Sequence, residues 1–150
     1  MRNVSQYFEL IEKAIEYSSA AEVEFEILRF GATSGLIEGV IYFADGARLE
    51  FTEQVMIEGR RPIKREYRYQ FVQGEEARFR YDNAPHHEHV TTHPHHKHVG
   101  TKILPAIEPE FRQVLDEAVQ LVKSERRSPG AVEKKRRQRR SNKPKGKTND

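Results

Sequence analysis

Apolar side chains recur along this chain at two different spacings, and each spacing predicts one kind of secondary structure. Near the two ends of the apolar region they recur every three or four residues, as on one face of an α-helix. The first predicted helix covers residues 4–18, and the second runs from Pro109 to about Ser124. The apolar positions that define them are Val4, Phe8, Ile11 and Ile15 in the first helix and Phe111, Val114, Leu115, Ala118, Leu121 and Val122 in the second.

Between the helices the apolar side chains alternate with polar ones, which is the side-chain repeat of a β-strand. Val23, Phe25 and Ile27, for instance, alternate with glutamates. Short glycine-containing turns separate the strands, and such turns join antiparallel neighbours because a parallel crossover needs a dozen or more residues. The sequence therefore predicts a five-stranded antiparallel meander, with strands near residues 22–27, 36–43, 49–57, 63–71 and 77–81.

The predicted fold class is α+β, with an N-terminal and a C-terminal helix on the same face of the sheet. Residues 1–127 are expected to form this single domain. Apolar positions stop after Val132, and the rest of the chain is rich in lysine and arginine. A segment that buries no apolar surface does not offset the entropy of ordering its backbone. We therefore expect residues 128–150 to form a disordered basic tail.

Alternation along the fourth and fifth strands also sorts their side chains between the two faces of the sheet. If the aromatic side chains meet the helices, the charged ones project from the opposite face. The inner positions are expected to be Ile63, Tyr67, Tyr69, Phe71, Ala77, Phe79 and Tyr81. The opposite face is expected to carry Arg68, Arg78, Arg80 and Asp82.

Several classes of protein are excluded by what the sequence lacks. The chain has no cysteine, which excludes disulfides, thiolate metal sites and iron–sulfur clusters. It has no transmembrane-length apolar run, and its N-terminus lacks the apolar stretch of a signal peptide. Walker and G-x-S-x-G motifs are missing as well. We therefore expect a cytoplasmic protein with no membrane partner.

The formal net charge of +3 conceals an uneven distribution. Residues 123–150 carry 12 basic and 3 acidic side chains, whereas residues 1–122 carry 14 and 20. Within that acidic body, residues 1–59 hold four basic and eleven acidic side chains, and residues 60–102 hold nine and five. The electropositive part of the predicted domain therefore suits a polyanionic ligand.

All seven histidines fall within residues 86–98, directly after the predicted fifth strand. Imidazole both gives and takes a proton near neutral pH, and it is also a common metal ligand. The fifth strand carries Arg80 and Asp82 and turns at once into His86 and His87. Connectivity alone therefore brings guanidinium, carboxylate and imidazole groups together.

The second half of this segment contains two His-x-His pairs. If residues 95–98 are extended, His96 and His98 point to one side and His95 and Lys97 to the other. Lys97 would then reach the site of His96 and His98 only through a bend in the backbone.

Three hypotheses account for the histidine-rich segment. In the first, one histidine takes the proton of a ribose 2′-hydroxyl, another protonates the leaving oxygen, and Arg or Lys neutralises the phosphorane. In the second, His-x-His pairs and a carboxylate such as Asp82 or Glu88 bind Zn²⁺, Ni²⁺ or Fe²⁺. In the third, the rings only cap backbone groups and pack on Tyr81, so that the segment is structural.

Residues 79–87 and 94–98 resemble the paired motifs of a known family. Their sequences, Phe-Arg-Tyr-Asp-Asn-Ala-Pro-His-His and Pro-His-His-Lys-His, are similar to the two elements of the TumE-like family, and the likeness covers roughly residues 20–105. It implies a toxin of a type II toxin–antitoxin pair that acts on RNA, with a small DNA-binding antitoxin encoded nearby. The catalytic candidates that it implies are Arg80, Asp82, His86, His87, His95, His96, Lys97 and His98.

We therefore predict a metal-independent ribonuclease toxin that needs no cofactor. One alternative is a metal-dependent hydrolase or nuclease at the histidines, and another is a non-catalytic module that binds a nucleic acid or a protein. Cationic side chains of the sheet and the tail would hold the RNA phosphates. The substrate-binding candidates are Arg68, Arg78, Lys134, Arg136 and Arg137.

Overall fold

The computed structural model describes residues 1–126, in which two helices cover one face of a seven-stranded antiparallel sheet. The predicted α+β class is therefore confirmed. The helices are α1 (Val4–Glu16) and α2 (Phe111–Arg126). The strands are β1 (Glu22–Arg29), β2 (Ser34–Tyr42), β3 (Arg48–Glu58), β4 (Arg61–Gln73), β5 (Glu76–Asp82), β6 (His96–Val99) and β7 (Lys102–Pro105).

The sheet is a simple meander, because the order of its strands in space is their order in the chain. All five predicted strands are present, but the number five was wrong. The histidine-rich segment leads into a further hairpin, β6 and β7, which pairs with β5. These strands have four residues each and no apolar alternation, so the sequence pattern did not indicate them.

The core lies between the two helices and the inner face of the sheet. Tyr69, Phe71 and Phe79 are almost completely buried there, as the alternation along β4 and β5 predicted. On α1, Asn3 caps the first turn by accepting a hydrogen bond from the Gln6 amide at 3.0 Å. The apolar stripes of both helices contribute Val4, Phe8, Ile11, Ile15, Phe111, Val114, Leu115, Ala118 and Val122 to the same core.

Two register shifts correct the predicted faces of the strands. Between the pairs Gln54↔Glu66 and Val55↔Lys64, β4 contains one extra residue, Arg65. A bulge of this kind exchanges the two faces beyond it, so Lys64 points into the core and Ile63 does not. The prediction for Ile63 was therefore wrong.

The second shift lies in β5, where Arg78 has no partner between the pairs Phe71↔Phe79 and Val72↔Ala77. Ala77 is consequently exposed, although the alternation predicted an inner position. Arg78 sits at the irregularity and lies 3.9 Å from Glu76. It therefore does not continue the regular row of Arg68 and Arg80.

A buried carboxylate, Glu53 on β3, lies in the middle of the core. The hydroxyl of Tyr7 on α1 donates to it at 2.5 Å, and the hydroxyl of Tyr69 donates to its other oxygen. The ammonium group of Lys64 lies 3.5 Å from Glu53 and donates to the carbonyl of Pro109 at 2.6 Å. This network ties α1, the centre of the sheet and the start of α2 to one another.

The expected boundary at residues 127 and 128 and the predicted tail lie outside the described residues. The same holds for the candidates Lys134, Arg136 and Arg137. Within residues 1–126, no helix is long and apolar enough to cross a membrane.

Replacing Tyr7 with Phe tests the importance of the Glu53 network. The change removes one hydroxyl donor from a buried carboxylate, so the free energy of unfolding should fall by about 1.5–3 kcal/mol. Urea denaturation monitored by circular dichroism measures it. Tyr17→Phe is the matched control, because Tyr17 lies at the end of the same helix with 85% of its surface exposed. Equal stabilities of the two variants would contradict a structural role for the network.

Candidate functional site

The candidate site lies on the outer face of the sheet, opposite the helices. Directly paired residues of an antiparallel sheet share a face, and two such rows cross β4, β5 and β6. The first row is Arg68, Asp82 and His96, and the second is Gln70, Arg80 and His98. Five side chains on this face meet in one group, which we call the histidine centre: Arg80, Asp82, His87, His96 and His98.

Asp82 is the carboxylate around which the histidine centre is arranged. It is the last residue of β5 and is buried. One of its oxygens accepts hydrogen bonds from Nε2 of His96 and from the amide of Ala84, both at 3.0 Å. The other accepts from Nε of Arg80 at 2.9 Å and lies 3.6 Å from Nε2 of His98. Asp82 thereby fixes the orientation of the guanidinium of Arg80 and of the imidazole of His96.

His96 on β6 is the least accessible ring of the centre, with 2% of its surface exposed. Its Nδ1 faces the carbonyl oxygen of Pro94 at 2.9 Å, and its Nε2 faces Asp82. Both partners are hydrogen-bond acceptors, and each faces one of the two ring nitrogens. His96 is therefore enclosed between two acceptors and is poorly placed to contact a ligand.

His98 has a different environment, because its Nε2 lies 2.8 Å from a terminal nitrogen of Arg80. A guanidinium group only donates, so this ring nitrogen accepts, and the neutral ring carries its proton on Nδ1. Partial burial and the positive charge of Arg80 lower the pKa of His98, and Asp82 opposes that shift. A neutral His98 is therefore favoured in the free protein.

His87 comes from the loop between β5 and β6, which folds back over the outer face. Its ring centroid lies 4.9 Å from that of His96 and 5.4 Å from that of His98. Partial burial and the neighbouring imidazoles of His96 and His89 lower its pKa. His87 thus combines a neutral ring with partial access to solvent.

The loop owes its position to two polar side chains that the sequence analysis did not single out. The amide side chain of Asn83 accepts from the backbone amide of Tyr67 and donates to the carbonyl of Arg65, both at 3.0 Å. The hydroxyl of Thr92 donates to the carbonyl of His95 at 2.6 Å and accepts from the amide of Ala106 at 2.9 Å. Their sequence signal is weak, because such loop residues bond the backbone in most turns.

Two of the predicted catalytic residues, Lys97 and His95, project to the other side of the sheet. The ammonium group of Lys97 donates to Glu117 of α2 at 2.5 Å and lies 4.7 Å from the ring centroid of Tyr81. The ring of His95 stacks on Tyr67 and bonds its hydroxyl at 2.9 Å. The extended strand is β6, His96–Val99, and its alternation places Lys97 on the side opposite His96 and His98. His95 precedes the strand and also lies away from the histidine centre.

The remaining candidates lie at the margin of the centre. His86 is exposed at the beginning of the loop. Arg68 is exposed on β4 directly beside Asp82, and its guanidinium bonds the side chain of Gln70. Arg68 can therefore extend the cationic surface, whereas Arg78 lies at the β5 irregularity described above.

The outer face changes its charge from one side of the sheet to the other. Both rows continue across β3, β2 and β1. The first row continues through Thr52, Glu38 and Glu26, and the second through Glu50, Val40 and Glu24. A shallow cavity of about 750 Å³ between Glu24, Glu50 and Arg68 marks the transition from acidic to basic side chains. A polyanion is therefore attracted to the side of β4, β5 and β6.

The three imidazoles of His87, His96 and His98 also offer ligand atoms that lie within 4.8 Å of one another. A tetrahedral Zn²⁺ ion with bonds of about 2.0–2.1 Å requires nitrogens about 3.4 Å apart. An ion bound by all three rings would therefore need their nitrogens at that separation. It would also have to displace Arg80 if its ligand atom were Nε2 of His98.

Comparison with known proteins matches the chain to a family. The family described as Toxin TumE matches residues 8–126, which extends the likeness expected for residues 20–105 to most of both helices. No curated protein and no solved structure matches the chain.

The influence of Arg80 on His98 can be tested by replacing Arg80 with Met. Removing the guanidinium removes a cation next to the ring, so the pKa of His98 should rise towards the usual value of about 6.5. A titration of the imidazole signals by NMR measures it. Arg78→Met on the same strand serves as the control and should leave the pKa of His98 unchanged. A pKa of His98 that responds equally to both changes would contradict the contact.

Proposed function

The chain belongs to the Toxin TumE family, and we propose that it is a ribonuclease toxin whose histidine centre cleaves RNA by acid–base catalysis without a metal ion. The observation that carries this proposal is the pair of rings of His87 and His98, 5.4 Å apart and next to Arg80. Two imidazoles at this separation can flank one phosphodiester group, one on the attacking and one on the leaving oxygen.

We assign the general base to His87. Its ring makes no hydrogen bond within the described residues, and its lowered pKa keeps it neutral near pH 7. A free lone pair is what a base needs to take the proton of a ribose 2′-hydroxyl. The hydroxyl oxygen then attacks the adjacent phosphorus.

His98 is the general acid in this proposal, and Arg80 controls it. When the phosphate group binds Arg80, the guanidinium gives up its bond to Nε2 of His98. That nitrogen can then take up a proton, and Asp82, 3.6 Å away, stabilises the resulting charge. Protonated His98 transfers this proton to the leaving 5′-oxygen, which yields a 2′,3′-cyclic phosphate and a 5′-hydroxyl.

The other candidates have supporting roles. His96 and Asp82 are positioning residues, because their hydrogen-bonding groups are turned to each other and to Arg80. Arg68 and His86 extend the cationic surface for neighbouring phosphates. Lys97 and His95 fasten β6 to α2 and β4, and so hold the strand that carries His98. Membership of a toxin family also implies an antitoxin partner, and we propose one encoded nearby, as in type II systems.

A metal-dependent hydrolase or nuclease is the second candidate, favoured by the proximity of the three imidazoles. A divalent ion bound by His87, His96 and His98 would activate water as the nucleophile. The two candidates differ in their products, because hydrolysis by metal-bound water does not require the 2′-hydroxyl and leaves no cyclic phosphate.

Substitution of either ring should abolish most cleavage if His87 and His98 are the acid–base pair. His87→Ala and His98→Ala should each reduce the single-turnover rate on an RNA oligonucleotide by roughly 10²–10⁴-fold, in buffer that contains EDTA. His89→Ala, an exposed histidine of the same loop, should retain activity. Mass spectrometry should identify the cyclic phosphate.

Two outcomes would contradict this mechanism. Complete loss of cleavage by the unaltered protein in EDTA, with recovery after addition of one divalent ion, would favour the metal-dependent enzyme. Undiminished growth arrest by a folded variant that carries both substitutions would favour a non-catalytic binding module.

The pH dependence provides an independent test. Activity falls as the pH decreases through the pKa of His87, since the base is then protonated, and falls as the pH increases through the pKa of His98, since the acid is then neutral. Both pKa values are lowered, so kcat/KM should be bell-shaped with its maximum below about pH 6.5. A rate that keeps rising into alkaline solution would contradict the two-histidine mechanism.

A further inference from the structure

The first strand of the sheet has a free edge. β1 pairs with β2 on one side, and within residues 1–126 no strand pairs with its other side. β1 has eight residues, Glu22–Arg29, without a proline or a bulge to interrupt it. Long uninterrupted edges are uncommon, because their unpaired amides and carbonyls can pair with another chain.

The direction of the unpaired backbone groups follows from the hairpin. The amide of Phe30 donates to the carbonyl of Ser34 at 2.9 Å, so residues 30 and 34 form a hydrogen-bonded pair. Such pairs alternate along an antiparallel ladder. The even-numbered residues of β1 therefore bond β2, and the amides and carbonyls of Val23, Phe25 and Ile27 point away from the sheet.

The side chains at this edge define what kind of segment fits it. Glu22, Glu24 and Glu26 are exposed on the outer face. Phe25 lies on the inner face with 40% of its surface exposed. A strand that pairs with this edge places every second side chain beside the glutamates of the outer face. Its remaining side chains lie beside Phe25 on the inner face.

We infer that the free edge of β1 binds an extended segment of a partner protein in which lysine or arginine residues alternate with apolar residues. The main-chain groups of Val23, Phe25 and Ile27 supply the hydrogen bonds, as in other cases of strand addition. The cationic residues of the segment face the glutamates on the outer face, and its apolar residues cover Phe25 on the inner face. Five strand spacings of about 4.8 Å separate β1 from β6, so the histidine centre lies about 24 Å away. This inference therefore does not rest on the ribonuclease proposal.

A second copy of the chain is a poorer occupant of this edge. An antiparallel β1–β1 pair that keeps the helices of both copies on one side sets glutamates opposite glutamates, which is destabilising. A parallel β1–β1 pair places the helices of the two copies on opposite sides of the sheet and sets glutamates beside Phe25. Nor does the end of this chain offer such a segment, because its basic stretch from Lys134 to Lys147 contains no apolar residue.

The probe for this proposal is an eight-residue peptide of alternating lysine and valine, N-methylated on every second amide so that it pairs through one edge only. On binding to the full chain, it should slow hydrogen exchange at the amides of Val23, Phe25 and Ile27. The even-numbered amides of β1 already bond β2 and should change little. A peptide of the same composition with its lysines and valines in two blocks should bind at least several-fold more weakly.

Charge variants test the role of the glutamates. The double change Glu24→Gln and Glu26→Gln should weaken binding of the lysine–valine peptide about three- to tenfold, since each cross-strand ion pair is lost. Glu9→Gln with Glu12→Gln is the matched control, because it removes the same charge from exposed positions of α1 and should leave binding unchanged. Equal loss of affinity in both variants would overturn the proposal, because attraction would then follow net charge alone.

Phe25→Pro tests docking at this edge, because it removes both an outward amide and the apolar side chain that the partner would cover. It removes an amide that points away from β2, so the strand keeps its internal ladder, and circular dichroism verifies the fold. Peptide binding should be lost in this variant, and unchanged binding would overturn the proposal. Sedimentation that shows a dimer of the unaltered protein and a monomer of Phe25→Pro would also overturn it, because a second copy would then occupy the edge.

Discussion

The buried charge of Asp82 is the constraint on which the outer face of the sheet depends. A carboxylate that is largely shielded from water needs compensation from within the protein. Arg80 supplies it on one oxygen, and His96 and the amide of Ala84 supply it on the other. These bonds also fix the guanidinium of Arg80 and the imidazole of His96. The need to stabilise the buried carboxylate therefore also orients the cationic group that can contact a phosphate.

Glu53 provides the contrast on the inner face. It is more deeply buried than Asp82, with 0% of its surface exposed against 6%, and its partners Tyr7, Tyr69 and Lys64 expose little surface themselves. Burial and the nearby carboxylate raise the pKa of Tyr69, which keeps its hydroxyl protonated as a donor. Arg80, in contrast, has 36% of its side chain exposed. Arg80 therefore gives Asp82 a partner that can reach a ligand on the outer face, whereas Glu53 acts as a structural link between layers.

Periodicity along the sequence was sufficient for the helices, the meander and the inner aromatic face. It failed where the pattern changes within a strand: the extra residues Arg65 and Arg78 exchange the faces, and nothing in their side chains distinguishes them from neighbouring arginines. The position of the site followed from connectivity, because β5 leads directly into the histidines. The connectivity did not predict which of the histidine rings converge. The loop brings His87 back over β6 because Asn83 and Thr92 bond to distant backbone groups.

A meander also converts charge order along the chain into charge order in space. The acidic first part forms β1, β2 and β3, and the basic part that follows forms β4, β5 and β6, so the outer face changes sign across a width of about 24 Å. A fold with crossovers would have mixed these strands. Here the polyanion proposed for the histidine centre and the basic segment proposed for β1 are attracted to opposite sides of one sheet. The two proposed ligands therefore do not compete for the same surface.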